Sequence, residues 1–209
     1  GKYCDRVILL NKGEKLAEGG AKEMVNLYRR VMVNQLDDIP KAEKKDTEEK
    51  EEQNMNTNLN LNPKVLEYGN GWAEITDFAI CDEDGIITNA IEKGQTFQVK
   101  MKVEFRHDVE DPIFAFTIKD LKGTEITGTN TMYEHSPVVP KKSGDVQKIT
   151  FTQQMSLEAG EYMLCLGCTG YTQGDFTVFH RLYDVCNLTV ITDKKAVGYF
   201  DMFSKVTLE

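Results

Sequence analysis

Hydrophobic and polar residues alternate with a period of two through most of the chain after Val65. The clearest case is TFQVKMKVEFR at residues 96–106, where every second residue from Phe97 to Phe105 is apolar and those between are polar. This pattern is typical of a strand with one face on a core and the other in water. Further strands are predicted at residues 73–81, 113–119, 125–132, 147–154, 161–169, 176–180 and 184–191. Turn-forming residues separate them and no helical period intervenes, which predicts a mainly β chain folded as an antiparallel β-sandwich.

The first 36 residues follow a different pattern, a hairpin and then a helix. Val7 to Leu10 is a short apolar run, Asn11-Lys12-Gly13 supplies a turn, and Glu14 to Glu18 returns as a second strand. The next apolar residues recur at the spacing of one helical face, namely Met24, Leu27, Tyr28 and Val31. That stripe needs a packing partner, and the chain starts without an initiator Met or a signal peptide. We therefore expect residues 1–36 to be the tail of a larger folded domain.

Residues 37–63 are predicted to be a linker. Between Asp37 and Glu52, twelve of sixteen residues are charged and no apolar face continues, so this segment cannot bury enough surface to offset the cost of ordering. Asn then occupies every second position from Asn54 to Asn62. Because Asn is depleted in strands, a low-complexity linker is favoured there over a pairing edge strand.

Composition limits the possible functions. The 209 residues carry a net charge of −9, and Lys and Arg alternate with Asp and Glu, which argues against a nucleic-acid surface and against an electrostatic membrane anchor. Five Cys residues at uneven spacing, without a signal peptide, indicate reduced thiols. Cys165 and Cys168 have a metal-like spacing, but residues three apart on a strand point to opposite faces, so no metal site is predicted.

Two stretches resemble one family. CDRVILLNKGEKLAEGGAKEMVNLY, at residues 4–28, is similar to the last strands and helix of an ABC-transporter nucleotide-binding domain. YGNGWAEITDFAICDEDG, PIFAFTIKDLKGTEITGTNT and LEAGEYMLCLG resemble the C-terminal domain of Wzt-type ATPase subunits, which export O-antigen and related surface polysaccharides. The resemblance divides the chain into residues 1–36 from the nucleotide-binding domain, the linker 37–63, and an immunoglobulin-like β-sandwich at 64–209.

The resemblance implies a non-catalytic carbohydrate-recognition module that selects a glycan for export. Its implied partners are the polysaccharide, the transporter's transmembrane subunit and a second copy of the chain, joined through the C-terminal segment after Val197. The implied location is cytoplasmic, at the inner face of the membrane. The phosphate-binding loop and the ABC signature are absent from this sequence, so no ATPase activity or cofactor is expected here. ATP and Mg²⁺ would bind the remainder of the nucleotide-binding domain.

Aromatic and planar polar side chains are the candidates for glycan contact, because sugars offer both C–H faces and hydroxyl groups. In the segment GTNTMYEHS, Thr131 and Tyr133 are expected on one strand face and Asn130 on the other, with His135 at the end. The alternative is an ordinary polar strand face and loop. Arg106 ends the most regular strand and would lie at a rim.

Other candidates belong to the aromatic segment TGYTQGDFTVFHRLYD, where Tyr171, His180, Arg181 and Tyr183 would line a loop-built edge. Trp72 is either a stacking platform or a ring that closes one end of the core, and the second interpretation is favoured. Two rival functions remain: a dimerisation or docking domain without glycan contact, and, more weakly, a glycosidase using carboxylates such as Glu125 and Glu134.

Overall fold

The computed structural model describes residues 6–11, 14–20, 24, 55–59 and 61–209. The chain divides into two compact units, Gly1–Glu49 and Lys50–Glu209. None of the helices in the described ranges is long and apolar enough to cross a lipid bilayer.

The first unit contains the predicted hairpin. Strand β1 (Val7–Asn11) pairs antiparallel with β2 (Glu14–Gly19), and a bulge interrupts the register between Leu9 and Leu10. Met24 is buried in helical conformation, and its N–H donates to the carbonyl of Gly20 at 3.0 Å. The rest of the predicted helix and the charged segment at 37–52 lie outside the described residues.

The second unit is built from nine strands in two sheets. The strands are β3 (Leu66–Tyr68), β4 (Ala73–Cys81), β5 (Ala90–Glu92), β6 (Thr96–Phe105), β7 (Ile113–Asp120), β8 (Glu125–Asn130), β9 (Val146–Gln154), β10 (Gly160–Thr172) and β11 (Asp175–Ile191). The larger sheet has the order β3-β11-β10-β7-β8, and β5 runs parallel to the end of β11. The smaller sheet has the order β4-β6-β9, and all its pairings are antiparallel. The predicted mainly β, antiparallel sandwich is thereby confirmed.

Alternating side chains from the two sheets form the core between them. On β6 the apolar residues of the period-two pattern, from Phe97 to Phe105, are each at most 2% exposed. They face β7 and β10, and rings from opposite sheets meet edge to face: Phe105 and Phe114 at 6.3 Å, Phe116 and Phe151 at 5.1 Å between centroids. Such edge-to-face pairs add to the gain from burial alone. The alternation in the sequence therefore reports which face of each strand is buried.

Strand β11 differs from the prediction. The sequence suggested two strands, at 176–180 and 184–191, but a single strand covers residues 175–191. Bulges in its pairing with β10 explain the difference, since they break the alternation between Leu182 and Cys186 and again near His180. Asp184, inside the first bulge, has a positive φ of 56°.

Part of the stretch predicted to be linker contacts the sandwich. Met55–Asn58 forms one turn of 3₁₀ helix, and Leu59 is buried in the core at 7% exposure. The Asp77 carboxylate on β4 accepts the backbone N–H groups of Met55 at 2.7 Å and Asn56 at 3.0 Å. The Asn-rich stretch is therefore packed on the sandwich in part, because Leu59, one of the residues that alternate with Asn, belongs to the core.

The segment after β11 returns along the edge of the sandwich. Phe200 forms an isolated bridge with Leu157, and Asp201 donates its N–H to the carbonyl of Ser156 at 2.8 Å. The buried ammonium group of Lys93 lies 2.8 Å from Glu158 and 3.3 Å from Asp201. Beyond these contacts the apolar side chains are exposed in the single chain, with Val197 at 98% and Met202 at 88%.

Candidate functional site

The outward face of the larger sheet carries a row of residues that crosses all five strands. Strand register places Tyr68 of β3 opposite Arg181 of β11, Arg181 opposite Gly167 of β10, and Gly167 opposite Ala115 of β7. Asn130 of β8 pairs with Ala115 and completes the row. Their sequence neighbours Phe116, Leu166 and Leu182 point into the core, so the row points outward. We call the outer-sheet site the set Tyr68, Ala115, Lys119, Asn130, Gly167, Arg181 and Tyr183.

Two tyrosines form the aromatic part of the outer-sheet site. The rings of Tyr68 and Tyr183 stack with centroids 5.9 Å apart and an interplanar angle of 21°. The neighbouring Tyr183 hydroxyl, together with burial, raises the pKa of Tyr68, so this phenol keeps its proton at neutral pH. Tyr68 is 45% exposed, which leaves ring surface open to a ligand.

Two cations flank the Tyr183 ring. The Lys119 ammonium lies 4.8 Å from the ring centroid and the Arg181 guanidinium carbon 5.3 Å from it, both within cation–π range. Lys119 also pairs with the carboxylate of Asp184 at 2.9 Å. Burial opposes the charged form of Lys119, but the hydrogen bond to Asp184 and the nearby Cys165 outweigh it, and the pKa of Lys119 is raised. Lys119 therefore remains charged and held in place.

Arg181 lies flat on the sheet beside the tyrosines. A Cβ at Gly167 would come within 3.2 Å of its Cδ and its Nη1, a tight contact that would displace this side chain by a few tenths of an ångström. The Nε of Arg181 is buried and has no hydrogen-bond partner among the described residues. The site thus combines exposed aromatic surface with unused hydrogen-bond donors.

A concave surface lies at one end of the sandwich, where the tip of the β10–β11 hairpin meets the chain after β8. This end cleft has a volume of about 470 Å³. It contains three of the predicted residues, Thr131, His135 and Tyr171, and is otherwise lined mainly by apolar side chains such as Pro112 and Val138. The Tyr171 ring contacts Phe176 edge to face at 5.9 Å.

The predicted strand face in the GTNTMYEHS segment is wrong, because β8 ends at Asn130 and a turn follows. The Asn130 side chain accepts the N–H of Tyr133 at 2.8 Å, which stabilises that turn. Thr131 is buried and its hydroxyl accepts the N–H of Phe114 at 3.2 Å. His135 has a positive φ of 51°, and Tyr133 is 69% exposed outside the cleft. The four predicted residues therefore do not form one binding face.

His180 and Arg106 are committed to protein contacts. His180 is buried, its Nδ1 accepts the N–H of Ile75 at 2.8 Å, and its Nε2 therefore carries the proton and donates to Glu67 at 2.8 Å. This ring joins the two sheets. Arg106 forms an ion pair with Glu74 at the rim of a shallow cleft that also contains His180.

Trp72 and the cysteines serve the interior of the sandwich. The Trp72 ring is half-buried and stacks on Phe179 at 6.1 Å with an interplanar angle of 6°, which favours the interpretation that it closes one end of the core. Of the four described cysteines, all buried and free, Cys168 belongs to the core, and burial raises its pKa to about 12. The described ranges contain no group of three potential metal ligands.

The structure distributes the predicted candidates over separate surfaces. Asn130 and Tyr183 belong to the outer-sheet site, and three others to the end cleft. The sequence-based prediction missed Tyr68 and Lys119, but it named Arg181 among the residues of a loop-built edge. Alternation along 113–119 could have placed Lys119 outward, but Tyr68 lies in a strand of three residues without a pattern. Only strand register brings these residues together.

The fold and this surface define a class of protein: an antiparallel β-sandwich domain whose larger sheet presents an aromatic and basic face. Residues 64–202, more than half of the chain, match the family model of the Wzt C-terminal domain. The chain therefore belongs to the family of Wzt C-terminal domains, which are β-sandwich domains of ABC transporters.

One solved structure agrees with this assignment. The crystal structure of the C-terminal domain of Wzt is 26% identical with a TM-score of 0.68, and the match covers 74% of this chain and 95% of that chain. A Niemann-Pick type C2 protein from the Japanese carpenter ant is 12% identical with a TM-score of 0.38, over 60% of this chain and 99% of that one. A CARDB domain from Pyrococcus furiosus is 12% identical with a TM-score of 0.33, over 57% and 94%. No curated protein matches in sequence.

Proposed function

We propose that this chain is the carbohydrate-recognition module of an ABC transporter that exports a cell-surface polysaccharide, and that the outer-sheet site holds the glycan. Its role is binding rather than catalysis. The observation that carries the proposal is the stacked pair Tyr68 and Tyr183 beside Arg181, whose Nε has no hydrogen-bond partner among the described residues. Family membership supports a transporter domain, and the site supports the ligand class.

The chemistry of a sugar ring suits this surface. A pyranose offers a face of C–H groups, which an exposed tyrosine ring can cover, and hydroxyl oxygens, which the guanidinium and phenol donors can bind. Gly167 has no side chain and Ala115 has only a methyl group, so these two positions add no bulk in the middle of the row. An extended glycan could therefore lie across the strands and reach the Asn130 amide at the far side. The end cleft offers fewer hydrogen-bonding groups to a sugar, because its lining is mainly apolar.

The test is calorimetric titration of the chain with surface polysaccharide purified from the source organism. We expect binding, and we expect Tyr68→Ala to weaken it about tenfold, since loss of one aromatic contact is worth about 1 kcal/mol or slightly more. Tyr133→Ala is the matched control, because this tyrosine is also exposed, at 69% against 45% for Tyr68, but lies in the turn outside the site. Loss of binding in His135→Ala with full binding in Tyr68→Ala would move the glycan to the end cleft.

The rival function is a dimerisation or docking domain that does not touch glycan. It is supported by the exposed apolar side chains after β11, such as Val197 and Met202. No binding of polysaccharide at millimolar sugar, combined with loss of a dimer when residues 197–209 are removed, would establish it. We further propose that the full-length protein places this module at the cytoplasmic face of the membrane, next to a transmembrane subunit, with ATP bound by its nucleotide-binding domain.

A further inference from the structure

We infer that the glycan bound at the outer-sheet site is anionic, and that Arg181 binds its carboxylate or phosphate group. The inference rests on the proposed function and adds the chemical class of the ligand. It starts from the pairing of the arginines. Arg6 pairs with Glu18 and Arg106 with Glu74, whereas Arg181 forms no ion pair with any described carboxylate. An arginine left without a partner in a chain of net charge −9 has a binding capacity that the fold does not use.

The position of Arg181 suits the binding of a carboxylate or phosphate group. The side chain is held between the glycine floor at residue 167 and the Tyr183 ring, so it loses little further rotamer freedom when a ligand binds. Its Nε is already removed from water without compensation. A guanidinium carries five donors in a rigid fork that matches carboxylate or phosphate oxygens in bidentate fashion, and it stays charged at all physiological pH values. A neutral hydroxyl satisfies one donor and leaves the charge uncompensated.

The surrounding charges favour the same class of ligand. Lys119 is a second cation beside the Tyr183 ring. None of the nearby carboxylates pairs with Arg181: Asp184 pairs with Lys119 at 2.9 Å, Glu125 lies opposite Lys119 in the strand register, and Glu67 accepts from His180 at 2.8 Å. Of the two cations in the outer-sheet site, Lys119 is therefore compensated and Arg181 is not, and the free charge of Arg181 favours an anionic group there.

The experiment compares intact polysaccharide with chemically neutralised polysaccharide. One sample is carboxyl-reduced and another is freed of phosphate by aqueous hydrogen fluoride, and each is titrated into the chain by calorimetry. We expect one of the two treatments to weaken binding about 10- to 100-fold, because a hydrogen bond to a charged group exceeds one to a neutral group by that order. The treatment that acts identifies the anion as carboxylate or phosphate. Affinity for the intact sample should also fall as salt is raised.

Variants of Arg181 assign the effect to this residue. Arg181→Gln should weaken the intact sample as much as neutralisation does and should leave the neutralised sample unaffected. Arg181→Lys keeps the charge but lacks the fork, and should recover only part of the affinity. Lys142→Gln is the control, since its ammonium is already paired with Asp108 at 2.8 Å and neither residue belongs to the outer-sheet site. Circular dichroism of each variant verifies that the sandwich is intact.

The outcomes separate the two proposals. If intact polysaccharide does not bind, the proposed function fails and the inference fails with it. If it binds, but neutralised polysaccharide or Arg181→Gln binds equally well, the glycan is recognised as a neutral sugar and only the inference is overturned. If both neutralisation and Arg181→Gln weaken binding while Lys142→Gln does not, the inference stands.

Discussion

Replacing Asp77 tests whether the Asn-rich segment belongs to the sandwich. The Asp77 carboxylate is 6% exposed and accepts three backbone N–H groups: from Met55 at 2.7 Å, Asn56 at 3.0 Å and Phe78 at 2.8 Å. It is the main polar anchor for the 3₁₀ turn that carries Leu59 into the core. We expect Asp77→Ala to detach this turn from the sandwich.

The magnitude follows from what each group loses. Removing the acceptor leaves the Phe78 N–H unsatisfied at a cost of about 1–3 kcal/mol, because this amide stays within the sheet. The amides of Met55 and Asn56 can turn to water, but Leu59 then leaves the core, which costs about 1.5–3 kcal/mol. Relief of the buried carboxylate's desolvation offsets part of the sum. We expect a net loss of about 3 kcal/mol in the free energy of unfolding, the order seen when a buried polar network is broken.

Urea denaturation followed by the fluorescence of Trp72 measures this loss, since Trp72 is the only tryptophan and stacks on core residue Phe179. Asp77→Asn keeps one oxygen but places an amide donor against the Met55 N–H. Its loss in the free energy of unfolding should be about half that of Asp77→Ala, roughly the contribution of one charge-assisted hydrogen bond. Asp193→Ala, at an exposed position, is the control. Hydrogen exchange should show the amides of Met55 and Asn56 unprotected in Asp77→Ala while β6 stays protected. A loss below about 1 kcal/mol, within the range of surface substitutions and small errors, would refute the docking of this segment.

Two further predictions concern strand pairing and the C-terminal segment. Gly128→Ala should destabilise the chain by about 1–3 kcal/mol in the same urea assay, because the new Cβ would lie 2.5 Å from the Phe116 carbonyl oxygen. Gly20→Ala is the control and should have little effect, because nothing lies within 4 Å of its new Cβ. Equal stability of the two variants would contradict this prediction. The Asp201 pKa is lowered to about 2 by the Lys194 ammonium and then by the Phe203 N–H, so its contribution to stability is present above the ordinary value of 3.8 and is lost as pH falls from there toward 2. Asp201→Asn should thus be less stable than the parent at pH 6 and differ less from it near pH 2, and a gap that is the same at both pH values would show that Asp201 is not the titrating group.

The long strands were predictable because their side chains alternate between core and solvent every second residue, and apolar and polar residues alternate in the sequence in the same way. On β6 every inward residue is buried, so alternation alone locates the strand within a residue at each end. Strands β3 and β5 have three residues each and carry no pattern. They exist because β11 offers unpaired backbone groups on its other edge, and that is a property of the assembled sheet rather than of the local sequence.

The types of residue in the candidate site were predictable from the sequence, but the position of the site in the fold was not. Residue chemistry identified Tyr183 and Asn130 as possible sugar contacts, but it also selected His180, whose ring nitrogens are occupied by Ile75 and Glu67. A buried structural histidine and an exposed binding histidine look alike in a sequence. The row from Tyr68 to Asn130 requires the register of four strand pairs, and register depends on bulges that no local pattern reveals.

The first bulge of β11 also sets the charges of the outer-sheet site. Residues 183–185 lie opposite Cys165, where a regular strand would place one residue, and Asp184 takes a positive φ of 56° within this insertion. In that conformation its carboxylate reaches Lys119 at 2.9 Å, while its backbone N–H donates to the Cys165 sulfur at 3.3 Å. The one acidic side chain of the bulge is thus consumed by Lys119, and Arg181, two residues before the bulge, keeps its donors for a ligand. A backbone irregularity, rather than the composition of the segment, leaves the guanidinium unpaired.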